Sequence, residues 1–297
     1  MIELKNVSKA FRKHVILRPT HLTLHSGINA MIGLNGTGKT TLLKMLSGII
    51  KSDEGQIAYN QQTIRSTISK IGVAFDLPSF YGHLSGWQNM VYFNQFQQSP
   101  VSVDDLKKIA TEWNVPLDKR RTSKYSLGKK KRLSLALSLI GNPEFWFLDE
   151  PFNGLDFESK EQLTAKIEQF RRKKKTILLI SHDLNLCLNL ADQLLFMHHG
   201  ELHYLPNQEP LLNQVIFTII HIEKCQIPSS IQRLIVEQAE EHNGLRLVIM
   251  KQDERQILCA LNERRISILG LEHKIPSISQ AIKILHNRIG GENNVEY

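Results

Sequence analysis

The chain has 297 residues, long enough for two domains at about 150 residues each and for a sizeable core without covalent staples. Hydrophobic residues make up 41% and charged residues 22%, an ordinary globular mix that excludes wholesale disorder and fibrous repeats. Lysine plus arginine (37) exceeds aspartate plus glutamate (29), and the resulting net charge of +8 attracts phosphates, acidic lipid or nucleic acid without choosing among them.

Three cysteines, Cys187, Cys225 and Cys259, show no paired spacing, which argues against a disulfide framework or a cysteine-rich zinc site and fits a reducing setting. No apolar run approaches the length of about 18 residues that a spanning helix needs. Met1-Ile2-Glu3-Leu4 lacks a basic-then-apolar leader, so no secretory signal is expected.

In chain order, Leu22–Leu24 and Ile28–Ile32 read as strands, and Thr40–Leu46 reads as a helix entered through a glycine-rich turn. Ile71–Phe75 is a further strand. From Leu77 to Pro143 the pattern turns helical. Leu106, Ile109, Ala110 and Trp113 share one helical face behind Ser102 as cap, and Leu133, Ala136, Leu137 and Ile140 mark another. Phe145–Leu148 and Thr176–Ile180 are nearly all apolar, as strands covered on both faces are. Strands alternating with helices argue an α/β fold. Pro206-Asn207-Gln208-Glu209-Pro210 reads as a boundary. Beyond it, Val215–Ile222 is β-like, the run through Ile231, Leu234, Ile235 and Ala239 is helix-like, and Leu245–Met250 and Gln256–Leu261 are β-like. Ile278, Ala281, Ile282 and Leu285 share a helical face. There is no internal repeat and no low-complexity segment. Two basic runs, Lys129–Arg132 and Arg171–Lys175, read as solvated helix ends, with contact to an anionic membrane surface as the alternative.

Gly33-Leu34-Asn35-Gly36-Thr37-Gly38-Lys39-Thr40 has the form G-x-x-x-x-G-K-[ST] between a predicted strand and a predicted helix. Glycines let backbone N–H groups approach phosphate oxygens, and the helix start adds its dipole and unpaired donors. Lys39 suits the β and γ phosphates, and the Thr40 hydroxyl suits Mg²⁺. Asp149, after the apolar strand, is a second candidate Mg²⁺ ligand, and Glu150 beside it can polarise an attacking water as general base. His182 closes the next strand, where a donor could meet the γ-phosphate or that water, although a histidine there is also compatible with a structural role. Ser126 and Gly128 open an amphipathic helix. On their own they are a helix start, and in this order they make a second phosphate-binding element.

Taken together, these motifs resemble the ATP-binding cassette (ABC) ATPases of transporters, over roughly the first two-thirds of the chain. The resemblance implies a RecA-like P-loop core in residues 1–205 with a helical insertion at about 77–143, and a small α+β accessory domain in 206–297. It makes Gly33–Thr40 the Walker A loop, with Asn35, Gly36, Thr37, Gly38, Lys39, Thr40 and Thr41 as nucleotide contacts. Asp149-Glu150-Pro151 resembles Walker B with its catalytic glutamate, Asn153–Asp156 the D-loop with Asp156, and His182 the switch histidine. Phe11 falls where the family stacks an aromatic ring on adenine, and it could equally be core. Ser126 and Gly128 resemble the family signature, which acts in trans across a head-to-tail pair of cassettes, and Lys129 could supplement phosphate binding there. Asp76 stands where the family usually has glutamine. It could ligate Mg²⁺ through water, and it brings a negative charge toward ATP. Asp76–Tyr81 and Tyr125–Gly128 resemble the subgroup that protects against bacitracin and lantibiotics. Lys129 and Lys131 depart from both patterns.

The function implied is that of an ATP-hydrolysing motor subunit using ATP and Mg²⁺, paired with a second cassette in a homodimer or heterodimer. It would sit at the cytoplasmic face of the cell membrane, held peripherally by separate transmembrane permease subunits. No specific nucleic acid is expected as partner. By the subgroup, export of an antimicrobial or amphipathic peptide or a lipid is favoured. The Asp76–Leu84 loop and the helix bearing Asn89 and Met90 are expected to carry the motion to the membrane. A soluble ABC ATPase of translation or repair, and a regulatory cassette that binds ATP without turnover, are the alternatives.

Overall fold

The computed structural model describes residues 1–12, 14–205, 216–242 and 244–274. The chain divides into two compact units, Met1–Tyr204 and Leu205–Tyr297.

In the first unit, β1 (Ile2–Phe11) pairs antiparallel with β2 (His14–Leu24), and β3 (Gly27–Ile32) leads through a loop into α1 (Lys39–Leu46). β4 (Glu54–Tyr59) returns beside β1 and is followed by β5 (Gln62–Thr63), the short α2 (Ile64–Thr67) and β6 (Ile71–Ala74). Three helices come next: α3 (Gly86–Gln95), α4 (Val103–Glu112) and α5 (Leu127–Ser138). β7 (Phe145–Asp149), α6 (Phe157–Arg172), β8 (Thr176–Ile180), α7 (Leu184–Leu190), β9 (Gln193–His198) and β10 (Glu201–Leu205) complete it.

Six strands form one sheet in the order β10-β9-β3-β8-β7-β6, with parallel ladders joining β9, β3, β8, β7 and β6. β7 and β8 are buried throughout, and their alternate residues serve different cores. Trp146, Leu148, Ile177 and Leu179 face a cluster built from α3 to α6. Phe145, Phe147, Leu178 and Ile180 face α1 and the antiparallel sheet β2-β1-β4-β5. The expected strands at 28–32, 71–75, 145–148 and 176–180 are present. The expected strand at 22–24 is the tail of the longer β2, and β1 and β4 escaped the sequence reading because their exposed faces break the apolar runs.

Capping fixes the helical segment. Ser85 and Gln88 form a reciprocal capping box on α3, and the Ser102 hydroxyl accepts from Asp105 N, as expected. Asn89 and Met90 are fully buried. The Asn89 amide accepts from Tyr81 N and donates to the carbonyls of Tyr81 and Ser85, so it clamps the preceding loop rather than facing outward.

The basic run at 129–132 is not a solvated helix end. Lys131 is 1% exposed, and Arg132 pairs with Asp156 at 2.9 Å. Within the run at 171–175, Arg171 pairs with Asp192, and Lys175 donates to the Asn142 side chain and the Pro143 carbonyl.

The second unit is an antiparallel sheet of β11 (Phe217–Ile222), β12 (Ile235–Glu241), β13 (Gly244–Met250) and β14 (Ile268–Lys274) in the order β12-β13-β11-β14. Two expectations are corrected here. The helix expected through Ile231–Ala239 is a single turn, Ser229–Gln232, followed by β12, in which Ile235 pairs with Ile249 and Ala239 with Arg246. Residues four apart share a face in a strand as well as in a helix, so that spacing does not discriminate. The strand expected at Gln256–Leu261 is instead part of the helix Glu254–Glu263, whose fully buried residues are Ile257 and Leu261, one helical turn apart. The helical face expected at Ile278–Leu285 lies outside the described residues.

Candidate active site

The Gly33–Gly38 loop leaves the C-terminal edge of the central strand β3. Gly36 (φ +79°) and Gly38 (φ +108°) occupy backbone conformations that side chains disfavour. A Cβ on Gly38 would also lie 2.6 Å from Ile16 Cγ2. Gly38 caps α1 without a side-chain acceptor, so the first N–H groups of the helix face the loop as donors for an anion. The Lys39 ammonium donates to the carbonyls of Gly33 (2.7 Å) and Leu34 (2.8 Å). Burial lowers its pKa, and the charges of Glu150 and Asp149 oppose that shift.

β7 ends on Asp149, and its carboxylate accepts the Thr40 hydroxyl at 2.8 Å. Glu150 turns out of the sheet at φ +46°, and its N–H donates to the Ile180 carbonyl at the end of β8. This bond sets the two strand ends side by side, and His182 Nδ1 lies 2.8 Å from Glu150 Oε2. Burial raises the pKa of both Asp149 and Glu150. Thr40 opposes the shift at Asp149, and His182 opposes it at Glu150.

Asp76 lies just past the end of β6. Its backbone carbonyl and Oδ1 each accept from the Lys131 ammonium at 3.1 Å. The sequence reading had no role for Lys131, although a signal was present. Lys131, Leu135 and Ser138 recur at helical spacing on the buried face of α5, and a lysine on a buried face needs an anionic partner.

Asn35, Gly36, Gly38, Lys39, Thr40, Thr41, Asp76, Asp149 and Glu150 line one cavity of about 270 Å³, joined by Ile16, an apolar wall that sequence reasoning missed. Thr37 is not on that wall. Its hydroxyl donates to the Leu34 carbonyl and ties the loop together. Phe11 lies off the cavity at the end of β1, 45% exposed, with the Lys9 ammonium 5.2 Å from its ring centre. Ser126 caps α5, accepting from Lys129 N, and Gly128 lies close to the Gly154 carbonyl. Asp156 caps α6 through Ser159 N and accepts from Arg132. Ser126, Gly128, Lys129 and Asp156 therefore stand outside the cavity.

Among the described residues no three His, Cys, Asp or Glu side chains converge as a metal cage. The donors that do converge are the Thr40 hydroxyl and the Asp149 and Asp76 carboxylates. Hard oxygen donors, few in number and beside a phosphate loop, fit Mg²⁺ held partly by substrate phosphates.

A parallel sheet that ends in a glycine loop, a helix N-terminus and a strand-end carboxylate pair defines a P-loop nucleotide-hydrolysing protein. A family model described as ABC transporter matches residues 17–153. The lantibiotic transport ATP-binding protein SrtF of Streptococcus pyogenes is 34% identical over 205 residues, which cover 68% of this chain and 89% of that one. The bacitracin transport ATP-binding protein BcrA of Enterococcus faecalis is 30% identical over 209 residues, covering 68% of each chain. The fold matches the solved dimeric structure of a bacterial ABC transporter cassette with a TM-score of 0.64 at 19% identity, over 70% of this chain and 100% of that one. The chain belongs to the ABC transporter ATP-binding family. It is an ATPase and the ATP-binding subunit of a transporter. Among the described residues no helix is long and apolar enough to cross a membrane.

Proposed function

We propose that this chain powers an exporter whose membrane-spanning subunits are separate chains, with an antimicrobial or amphipathic peptide or a lipid as cargo. The reading rests on one observation: Lys39 and Thr40 of the glycine loop share a cavity with Asp149 and Glu150, and Thr40 is bonded directly to Asp149. The names of the lantibiotic and bacitracin transport relatives support the choice of cargo.

In this reading residues 1–205 are the cassette, with 77–143 as its helical insertion, and 206–297 are an accessory domain. The loop N–H groups and Lys39 hold the triphosphate, with Asn35, Gly36, Gly38 and Thr41 completing the cradle and Thr37 tying the loop that forms it. Thr40, Asp149 and, through water, Asp76 would hold Mg²⁺, which supplies charge neutralisation on the phosphate oxygens. Glu150 takes the proton of the attacking water, its raised pKa bringing it closer to the working pH of a general base. His182 orients that carboxylate. Phe11 offers an exposed ring to the adenine. Ser126, Gly128, Lys129 and Asp156 act across a pair of cassettes, homodimeric or heterodimeric, which is consistent with their standing outside the cavity of their own chain.

The aromatic surface of exposed Tyr81 and Phe96, with half-buried Tyr92 between them, is the proposed seat of the permease. This would place the chain at the cytoplasmic membrane face. The pairing of Lys131 and Arg132 with Asp76 and Asp156 weakens the case for nucleic acid, because those cations are already neutralised. Purification of the tagged chain from detergent-solubilised membranes is expected to retain a multi-span protein. Recovery of the chain with ribosomes or DNA and no membrane partner would overturn the reading. Uptake of the candidate peptide by energised vesicles oriented inside-out marks export, and uptake by right-side-out vesicles would reverse the direction.

A further inference from the structure

We infer that Lys131 is a positioning residue of the phosphate site: its buried ammonium holds Asp76 by carbonyl and carboxylate together and cancels the charge that an aspartate brings to a cavity meant for a triphosphate. The inference deepens the reading above and rests on it.

The cavity wall carries three carboxylates, Asp76, Asp149 and Glu150, against the single ammonium of Lys39. Lys39 is itself bonded to two loop carbonyls. Unopposed, that balance repels a polyanion at short range and low dielectric. Lys131 supplies the missing positive charge from behind the wall. Its side chain is 2% exposed and that of Asp76 is 48% exposed, so the lysine is fixed in the protein while the aspartate remains accessible from the cavity. A buried ammonium is tolerated only where it is paired, and both of its hydrogen bonds go to the same residue.

The bond also has a mechanical side. Lys131 lies on α5, the helix whose start carries Ser126 and Gly128. The Asp76–Lys131 pair therefore ties the phosphate cavity to the helix that presents those two residues. At the other end of the same strand and helix, Gly72 packs on the Ser138 carbonyl, so β6 and α5 are joined at two points. A neutral glutamine at position 76 would need no such partner. The aspartate at 76 and the lysine at 131 are two halves of one arrangement.

The test is titration of the full chain with Mg²⁺ and a non-hydrolysable ATP analogue, by calorimetry, for wild type, Lys131→Gln, Asp76→Gln and the double variant. Lys131→Gln is expected to weaken binding about tenfold, within the range of coupling between contacting charged residues. Adding Asp76→Gln to it should restore affinity to within about twofold of wild type. Rescue by the second substitution separates charge compensation from a purely structural role. Unchanged affinity in Lys131→Gln, or a loss that persists in the double variant, overturns the inference. If Lys131→Gln alone does not fold, a double variant that folds and binds supports compensation, and a double variant that also fails to fold overturns it. A wild-type chain that binds no analogue would instead remove the nucleotide reading of the cavity, and this control is measured first.

Discussion

Glu150 Oε2 lies 2.8 Å from His182 Nδ1, and the two residues come from the ends of neighbouring strands. The Glu150 N–H, bonded to the Ile180 carbonyl, keeps the two strand ends together, and the positive φ of Glu150 (+46°) turns the chain out of the sheet there, with Glu150 lining the same cavity as the glycine loop. Burial raises its pKa, which strengthens it as a proton acceptor. Glu150→Gln keeps the shape and removes the base. Turnover is therefore expected to fall by about 100-fold or more, with affinity for Mg²⁺ and the ATP analogue retained. His182→Ala removes the orienting contact and is expected to lower kcat more than it changes KM. Steady-state phosphate release and calorimetry check both. Near-normal turnover in Glu150→Gln would remove the general-base role.

Lys39 is positioned by the carbonyls of Gly33 and Leu34. Only the ammonium can exchange those acceptors for phosphate oxygens without leaving the loop. Lys39→Ala deletes the ammonium of the cavity wall and leaves Asp149 and Glu150 without it. Binding of the analogue is expected to drop by about 100-fold or more, in line with loss of a charge-assisted bond to a buried anion. Undiminished affinity by calorimetry would contradict the phosphate assignment.

How far the molecule was legible differs between its units. In the first, the buried strands at 28–32, 145–148 and 176–180 are nearly continuous apolar runs because both faces are covered, and such runs are readable. The motif residues Lys39, Thr40, Asp149 and Glu150 converge because parallel strands all end on the same edge of the sheet. Lys131 was harder to read: its helical spacing marks a buried position, but it sits inside a run of four cations, and its partner, Asp76, lies 55 residues away on another element. In the second unit, Ile235–Glu241 and Glu254–Glu263 were exchanged in type. Their apolar residues recur at four-residue intervals, which both strand and helix place on one face, and only the pairing with β13 and the packing of Ile257 decide between them.

Glu254 in the second unit gives a pH signature. Burial alone would raise its pKa, but the Thr218 hydroxyl (2.7 Å), the Lys251 ammonium (2.9 Å) and His273 (2.9 Å) outweigh it and hold the carboxyl at about 2. A depressed folded-state pKa means that the carboxylate stabilises the fold above the unfolded value near 4.5 and that this contribution disappears as pH falls toward 2. Glu254→Gln is expected to lower Tm at neutral pH by roughly 2–4 °C, and the gap between variant and wild type should close between pH 4.5 and 2. Thermal unfolding followed across that window checks it. A gap independent of pH would assign the loss to packing rather than charge.

The last prediction concerns the seam between β6 and α5. A Cβ on Gly72 would stand 2.0 Å from the Ser138 carbonyl oxygen and 2.8 Å from Pro143 Cγ, so the strand can lie this close to the helix only with hydrogen there. Ser138 has little freedom to retreat, because its hydroxyl accepts the Trp146 indole N–H at 2.9 Å and donates to the Leu135 carbonyl. Gly72→Ala therefore overpacks a fixed seam and is expected to cost about 1–3 kcal/mol of stability by urea denaturation. Gly82→Ala is the control, since its Cβ would meet only Ser123 Cβ, at 3.7 Å. The displaced strand also carries Asp76 just beyond its end, so Gly72→Ala should weaken analogue binding although it touches no cavity residue. Full affinity together with lost stability would show that the strand end is set by Lys131 alone.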